Sequence, residues 1–267
     1  VSSPTIVNCT FSDNGTIYVD TGGGISNESF SSPIIVNCTF SGNVAEEQGG
    51  GLHNVQSSPW IVNCTFSGNS ASAGSGIFND LGSCPILTNC ILWNNGGDGE
   101  ICNDSSIAPS TPVLSHCIVQ GDDSGGTVYN VDPLLTPFGN YGGPVKTYGL
   151  QAGSPAIDAG TAEGAPATDC RGVARPQGTG FDIGTYELIV SAVRHVIYVS
   201  KSGDNTDGSS WERAFRNLRD ALAVAANGNE IWIAAGIYRP NDGNPSDISR
   251  TQWFQLKNNA AVYGGFA

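Results

Sequence analysis

Ser31-Ser32-Pro33-Ile34-Ile35-Val36-Asn37-Cys38-Thr39-Phe40 decides the fold, because the chain repeats it. Ser2-Ser3-Pro4-Thr5-Ile6-Val7-Asn8-Cys9-Thr10-Phe11 precedes it, Ser57-Ser58-Pro59-Trp60-Ile61-Val62-Asn63-Cys64-Thr65-Phe66 follows, and looser copies begin at Ser83 and Ser110. Pro4, Pro33, Pro59, Pro85 and Pro112 step by 29, 26, 26 and 27 residues. A second element keeps phase with them: Gly24-Ile25-Ser26-Asn27, Gly51-Leu52-His53-Asn54, Gly76-Ile77-Phe78-Asn79, Glu100-Ile101-Cys102-Asn103 and Thr127-Val128-Tyr129-Asn130. A period of this length marks a stack of structural repeats. Helical repeats need amphipathic stretches of about ten residues or more, whereas the apolar runs here are short, β-branched and bounded by Gly, Asn, Ser or Pro. Each period therefore reads as one coil of short strands joined by tight bends.

Stacked coils put like residue on like residue at the strand spacing of a sheet, about 4.8 Å. Cys9, Cys38, Cys64, Cys90 and Cys117 then form one inward ladder. Phe11, Phe40, Phe66, Leu92 and Val119 form a second, and Ile25, Leu52, Ile77, Ile101 and Val128 a third. Asn8, Asn37, Asn63 and Asn89 stand at a bend, where each amide can bond the amide above while its backbone turns through a left-handed conformation. Asn27, Asn54, Asn79, Asn103 and Asn130 make a further column. Interior Cys behaves as a small hydrophobe, so Cys84, Cys102 and Cys170, which lie off the ladder, are the candidates for disulfide pairing.

The formal net charge is −13, and it is unevenly placed. The first basic residue is Lys146, so residues 1–145 carry 12 acidic side chains against none, and 146–267 carry 12 against 11. Nucleic-acid binding needs clustered Lys and Arg, and the coils have none. No apolar run approaches the ~20 residues that span a bilayer. With no Met in the chain and both ends in mid-pattern, the sequence reads as a processed product or a segment of something longer.

Residues 196–267 leave the repeat. Ser209 with Glu212 makes a capping box, and Trp211, Phe215, Leu218, Leu222 and Ala225 recur at helical spacing up to Asn227-Gly228. These predict one amphipathic helix over about 210–227. Strand patterns flank it at 196–199, 230–233, 253–256 and 261–263. A lone amphipathic helix suits the lid of an open solenoid end.

The run Tyr198-Val199-Ser200, Gly203-Asp204-Asn205-Thr206-Asp207-Gly208-Ser209-Ser210-Trp211, Glu230-Ile231-Trp232-Ile233 and Val262-Tyr263-Gly264-Gly265-Phe266 resembles the opening of right-handed parallel β-helix proteins of bacterial and archaeal surfaces. Residues 1–130 resemble their coils and the repeats of polymorphic outer-membrane proteins. Asp132-Pro133-Leu134-Leu135, Gly153-Ser154-Pro155-Ala156-Ile157-Asp158-Ala159-Gly160, Asp169-Cys170-Arg171-Gly172 and Asp182-Ile183-Gly184-Thr185-Tyr186-Glu187 are similar to the closing portion of the choice-of-anchor Q domain. The resemblance implies an all-β fold, a right-handed parallel β-helix with one capping helix. It also implies an organisation: coils over 1–131, a closing or cap segment over 132–187, a short junction over 188–195, and an opening lid over 196–267. Here the closing part precedes the lid, the reverse of the family's order. A junction between consecutive β-helix units follows, with copies stacking head to tail as a heterologous contact that does not close.

The rival reading is a carbohydrate-binding or polysaccharide-degrading β-helix protein with its site in coils outside this segment. A lyase needs a cationic base and the coils have none. A hydrolase needs converging carboxylates about 5–9.5 Å apart, and the outward columns show Thr, Ser and Gly. Asp122-Asp123 and Glu46-Glu47 are adjacent pairs in turns, and neither His53 nor His116 has an evident nucleophile beside it. Asp204, Asn205 and Asp207 could hold Ca²⁺, the one cofactor candidate, although they lack the spacing and terminal Glu of an EF-hand. Asp158, Asp169, Asp182 and Glu187 near Arg171 and Arg175 suggest an ion-pair network. Of six sequons, Asn14-Gly15-Thr16 is the accessible glycosylation candidate. The expectation is an extracellular or cell-surface structural and adhesive protein. Its partners are its own copies and surface glycans, with no nucleic acid and no membrane insertion.

Overall fold

The structure, a computed structural model, describes residues 2–15, 21–122, 125–189, 196–225, 229–240, 253–256 and 260–266. The chain divides into two compact units, Val1–Ile189 and Val190–Ala267.

In the first unit the repeat becomes three long parallel sheets and a two-stranded one, Ser70–Ala71 with Gly96–Gly97. Sheet one holds Thr5–Val7, Ile34–Val36, Trp60–Val62, Ile86–Thr88 and Val113–Ser115 in that spatial order. Sheet two holds Thr10–Ser12, Thr39–Ser41, Thr65–Ser67, Ile91–Leu92 and Cys117–Val119. Sheet three holds Ile25–Asn27, Leu52–Val55, Ile77–Asp80 and Ile101–Asn103. Register follows the repeat: Phe11 stands on Phe40 and Phe40 on Phe66. The rings stack at 5.0 and 4.3 Å between centroids with planes within 10° of parallel.

The bend between sheets one and two is one residue in the left-handed region. Asn8, Asn37, Asn63, Asn89 and His116 all have φ between 49° and 53°. Asn tolerates this conformation better than other side chains with a Cβ. The bend stays in the axial hydrogen-bond pattern, since Asn8, Asn37, Asn63 and Asn89 each donate their N–H to the next coil. Ile35, Ile61 and Leu87 from sheet one, the Cys and Phe ladders, and Leu52 and Ile77 from sheet three fill the interior. Cys38, Cys64, Cys90 and Cys117 are fully buried, and Cys9 is partly so at the first rung.

Two expected columns end early. Val128–Tyr129 does not extend sheet three but pairs with Cys117–Val119 in sheet two, Val128 opposite Cys117. Only ten residues lie between these partners, too few for a full coil, and left-handed Gly121, Gly125 and Gly126 take the chain back over the sheet. Val128 therefore leaves its ladder and covers the end of the core. Asn130 leaves the amide column too and accepts the N–H of Gly121.

Residues 132–187 lie along the flank of the coils. Thr10 donates to the Lys146 carbonyl, Thr39 meets Thr147 at 2.9 Å, and Thr65 meets Thr185 at 3.2 Å. Further along, Ile91 and Ile118 pack with Leu150, Ala156 and Ile183. The outward face of sheet two, with Thr39, Ser41, Thr65 and Ser67, is thus mostly interior.

The second unit is a three-stranded parallel sheet, Val196–Val199, Glu230–Ala234 and Ala261–Phe266. Helix α1, Leu218–Val224, packs Ala221 and Leu222 with Ile197, Val199, Ile231 and Ile233. It is seven residues long, shorter than the expected span from 210. Ser209 does not cap it: its hydroxyl bonds Asp207, and the N-cap is Asn217. The stretch before it is engaged in a bridge to the first strand, with Phe215 donating to the Tyr198 carbonyl and Ser200 to that of Phe215. The Asn227-Gly228 stop lies outside the described residues. Residues 253–256 form no strand, because the edge of Glu230–Ala234 is taken by Ala261–Phe266.

All eight cysteines are free thiols. Cys84 stands in the turn before sheet one beside Thr111, Cys102 on sheet three and Cys170 in the flanking segment, so the three expected to pair occupy three different places.

The Phe stack is the most regular part of the core. Phe40→Ala empties a site lined by rings on both sides and is expected to cost about 3–5 kcal/mol in urea unfolding. Phe11→Ala, at the partly exposed first rung, is expected to cost less.

Candidate functional site

The flanking segment carries a buried ion-pair network. Arg175 Nη1 reaches Glu187 Oε2 at 2.8 Å and Arg171 Nη2 reaches Asp169 Oδ2 at 2.6 Å, with both pairs buried. Arg175 also donates to the Asp182 and Gly184 carbonyls, and the Arg171 guanidinium lies 3.5 Å over the Tyr186 ring. Three buried carboxylates face two guanidinium groups, and backbone N–H groups make up the difference. Arg171, Val173 and Glu187 donate to Asp169, Asp158 and Leu188 to Asp182, and Gln177 and Asp182 to Glu187. Burial pushes the Asp182 carboxyl up to about 6 and lowers the Arg175 guanidinium below its ordinary value. Asp158 joins from the edge and accepts the Gly180 N–H. Every carboxylate oriented inward holds backbone, so the network ties loops together.

The bend asparagines turn out to dock this segment. Asn37 Nδ2 bonds Asn8 Oδ1 at 3.0 Å and the Thr168 carbonyl at 2.8 Å. Asn63 instead gives both N–H bonds to the Asp182 and Gly184 carbonyls. That interrupts the expected ladder and leaves Asn37 Oδ1 buried without a partner. Asn89 bonds Asn63 at 3.3 Å and exchanges two bonds with Thr161.

A second amide column escaped the repeat reading. Asn14, Asn43, Asn69 and Asn95 bond in series at 2.9, 2.8 and 2.8 Å, and the Asn95 amide ends on the Glu100 carboxylate. Each of Asn43, Asn69 and Asn95 also bonds the carbonyl of a ladder Phe in the preceding coil. The signal was in the sequence, since Asn43, Asn69 and Asn95 keep the 26-residue step. Burial raises the Glu100 carboxyl above its ordinary value. Asn27, Asn54, Asn79 and Asn103 form the third column, at 2.8–2.9 Å.

Asn14, the glycosylation candidate, is the exposed first rung of the second column and its Nδ2 is engaged with Asn43; Thr16 of its sequon lies outside the described residues. In the second unit, Asp204 accepts the Thr206 N–H and Asn205 the Arg216 N–H, and Asp207 is held by Arg213 at 2.6 Å. Its hydrogen bonds from Arg213 and Ser209 hold the Asp207 carboxyl well below the usual range. A Ca²⁺ ion there would compete with Arg213. Among the described residues no three His, Cys, Asp or Glu side chains come together in a way that could hold a metal ion. His116 bonds Ser115 through Nδ1, and Asp123 lies outside the described residues.

An open cavity of about 600 Å³ lies at the end of the coils, bordered by Asn103, Ser110, Thr111, Leu114, Asp122 and Thr127. The Ser110 hydroxyl is buried there without a partner. Its lining combines hydroxyl and amide groups and one carboxylate with the apolar side chains of Pro112, Leu114 and Val128.

His53 is buried on sheet three with neither ring nitrogen bonded. Burial lowers its pKa from the ordinary 6.5, against the opposing charges of Asp80 and Glu28. Its neutral form is therefore favoured by folding, and that contribution is lost as pH falls below 6.5 toward the folded value. Asp182 acts oppositely: raised to about 6, it weakens stability as pH rises through that value. His53→Leu is expected to stabilise the protein more at pH 5 than at pH 7, read as the difference in Tm from the unsubstituted chain. Glu187→Gln leaves Arg175 buried beside a neutral partner. It is expected to cost about 3–5 kcal/mol in urea unfolding, and Arg175→Met with Glu187→Met is not expected to recover it, because the Gln177 and Asp182 N–H groups lose their acceptor.

Residues 1–140 match the family model described as a right handed beta helix region. Comparison with curated proteins and with solved structures gives no match. With three parallel sheets in the register of the repeat, and more than half of its length matched, the chain belongs to the right-handed β-helix family.

Proposed function

We propose that the chain is a structural and adhesive module of an extracellular or cell-surface protein, its copies joined head to tail. The family includes enzymes and non-enzymes, and its members are often extracellular or surface-associated. The observation that carries the structural reading is how the polar side chains are used. Amides, hydroxyls and buried carboxylates of the first unit bond along the axis or tie the flanking segment down. The likeness of 132–187 to the closing portion of choice-of-anchor Q domains supports a surface location.

Head-to-tail joining is favoured by the edges of the stack. Ile25–Asn27 and Ile101–Asn103 are the two edge strands of sheet three. Asn27 donates toward Asn54 and Asn103 accepts from Asn79, so an amide oxygen ends the column on one side and an NH₂ group on the other. Sheet one is likewise edged by Thr5–Val7 and Val113–Ser115. Val128–Tyr129 covers only sheet two, which leaves the other two edges for a following coil. No helix of the described residues is long and apolar enough to cross a membrane.

The second reading is a carbohydrate-binding or carbohydrate-cleaving β-helix. The hydroxyl- and amide-lined cavity at Ser110 and Thr127 favours glycan binding. Negative-stain electron microscopy of the purified chain is expected to show fibres with an axial repeat, and single particles at all concentrations would sink the head-to-tail reading. Release of reducing or unsaturated ends from neutral and acidic polysaccharides would favour the enzyme instead.

A further inference from the structure

One face of the second unit's sheet is aromatic. Tyr198, Trp232 and Tyr263 stand in register on its three strands, on the side away from helix α1 and from Ile197, Val199, Ile231 and Ile233. Trp211 and Phe266 complete a circuit of rings. Between centroids, Trp211 is 4.8 Å from Tyr198 and 5.9 Å from Phe266, and Trp232 is 6.0 Å from Tyr198 and 4.9 Å from Phe266. Among the described residues nothing covers the face completely: Trp211 is 38 % and Tyr263 45 % exposed, and Tyr198, Trp232 and Phe266 are partly buried. A bulge puts Phe266 there. Strict alternation from Tyr263 would turn Phe266 toward the helix, but the register shifts after Gly264, and Phe266 pairs with Ala234 on the Trp232 side. Gly265 has φ 91°, and a Cβ on Gly264 or Gly265 would meet no atom within 4 Å, so the surface beside Phe266 is open. Trp232 is fixed in turn, its indole N–H donating to the Glu230 carboxylate at 2.9 Å.

We infer that this face binds an uncharged glycan, two or three consecutive sugar rings lying against the aromatic side chains. The inference rests on the adhesive half of the proposed function, to which it gives a contact surface and a partner, and is independent of head-to-tail joining. The chemistry of the two surfaces matches. The face of an aromatic ring is electron-rich, and the C–H groups of a sugar, polarised by the oxygens beside them, are what it attracts. The Tyr198 and Tyr263 phenols and the Trp211 indole N–H can exchange hydrogen bonds with sugar hydroxyls at the ring edges.

Charge and area select this occupant. The three strands carry one charged side chain, Glu230, which is buried against Trp232. Residues 196–267 carry seven acidic and seven basic side chains. An acidic polymer or an anionic bilayer surface therefore finds neither a cation among these strands nor a net attractive field around them. A Trp, Tyr or Phe side chain buries about 150–250 Å² when fully covered, so the exposed parts of these five amount to about 300–400 Å². That is well below the roughly 800 Å² per partner of a stable protein interface. It is the footprint of a short run of sugar rings, with the exposed indole of Trp211 as its anchor.

Biolayer interferometry of the whole chain on immobilised oligosaccharides tests the inference, with neutral probes (cello-, xylo-, manno- and chito-oligosaccharides) set against acidic ones (oligogalacturonate and alginate). Binding to at least one neutral probe is expected, unchanged between about 0.05 and 0.5 M NaCl because no charge is paired. Trp211→Ala and Tyr263→Ala are each expected to weaken it about tenfold or more, whereas Tyr263→Phe, which keeps the ring, retains most of it. Circular dichroism checks the fold, and the exposed Tyr263 pair of variants carries the test if Trp211→Ala disturbs it. A chain that binds no neutral oligosaccharide overturns the proposal. So does binding to acidic probes alone that fades with salt, or binding to phosphatidylcholine vesicles or a polyproline peptide in place of sugar. Neutral-sugar binding that survives both alanine variants overturns this face as the site and leaves the adhesive reading standing.

Discussion

Register along the axis is the constraint on which everything else in the first unit depends. Parallel strands fix the rise at about 4.8 Å, and side chains alternate between faces, so a slip of one residue in one coil would turn Phe40 outward and Thr39 inward. Three amide columns oppose such a slip. Except between Asn37 and Asn63, each rung is a hydrogen bond between identical side chains one coil apart, satisfied at one register only. Packing of the Phe stack and bonding of the Asn columns therefore select the same arrangement. This agreement between levels is what gives a sequence one structure.

Repetition made the coils legible. Five copies of one motif identify inward ladders, bends and strand pairings together, and the left-handed Asn positions follow because few other residues tolerate them. What repetition could not reveal was where non-repeating residues settle. The contacts of Thr147 with Thr39 and of Thr185 with Thr65 join residues more than a hundred positions apart, and no periodicity announces them. The Asp169, Asp182 and Glu187 network with Arg171 and Arg175 was readable as a cluster. That its members also hold the backbone against Asn63 was not. The helix misled for a local reason: Ser209 and Glu212 have capping-box spacing, but Asp207 claims the Ser209 hydroxyl and Phe215 joins the first strand.

Acidic side chains in the first unit occupy two environments. Those in turns, such as Glu46, Glu47 and Asp98, are exposed and give the unit its negative field. Those inside, Glu100 among the coils and Asp169, Asp182 and Glu187 in the flanking segment, end a column or hold loop N–H groups. Buried charge is costly unless paired and bonded, and these groups are both placed and bonded to organise backbone. The same side-chain chemistry that would mark a hydrolase in another arrangement here fixes architecture.

The flanking segment touches the stack from its first coil to its fifth, with Lys146 at Thr10, Thr147 at Thr39, Thr185 at Thr65 and Ile183 among Ile91 and Ile118. It works as a gauge. A coil duplicated between these anchor points would satisfy every ladder yet push them out of step, so the spacing of the coils between Thr10 and Ile118 is tied to the length of a segment that does not repeat.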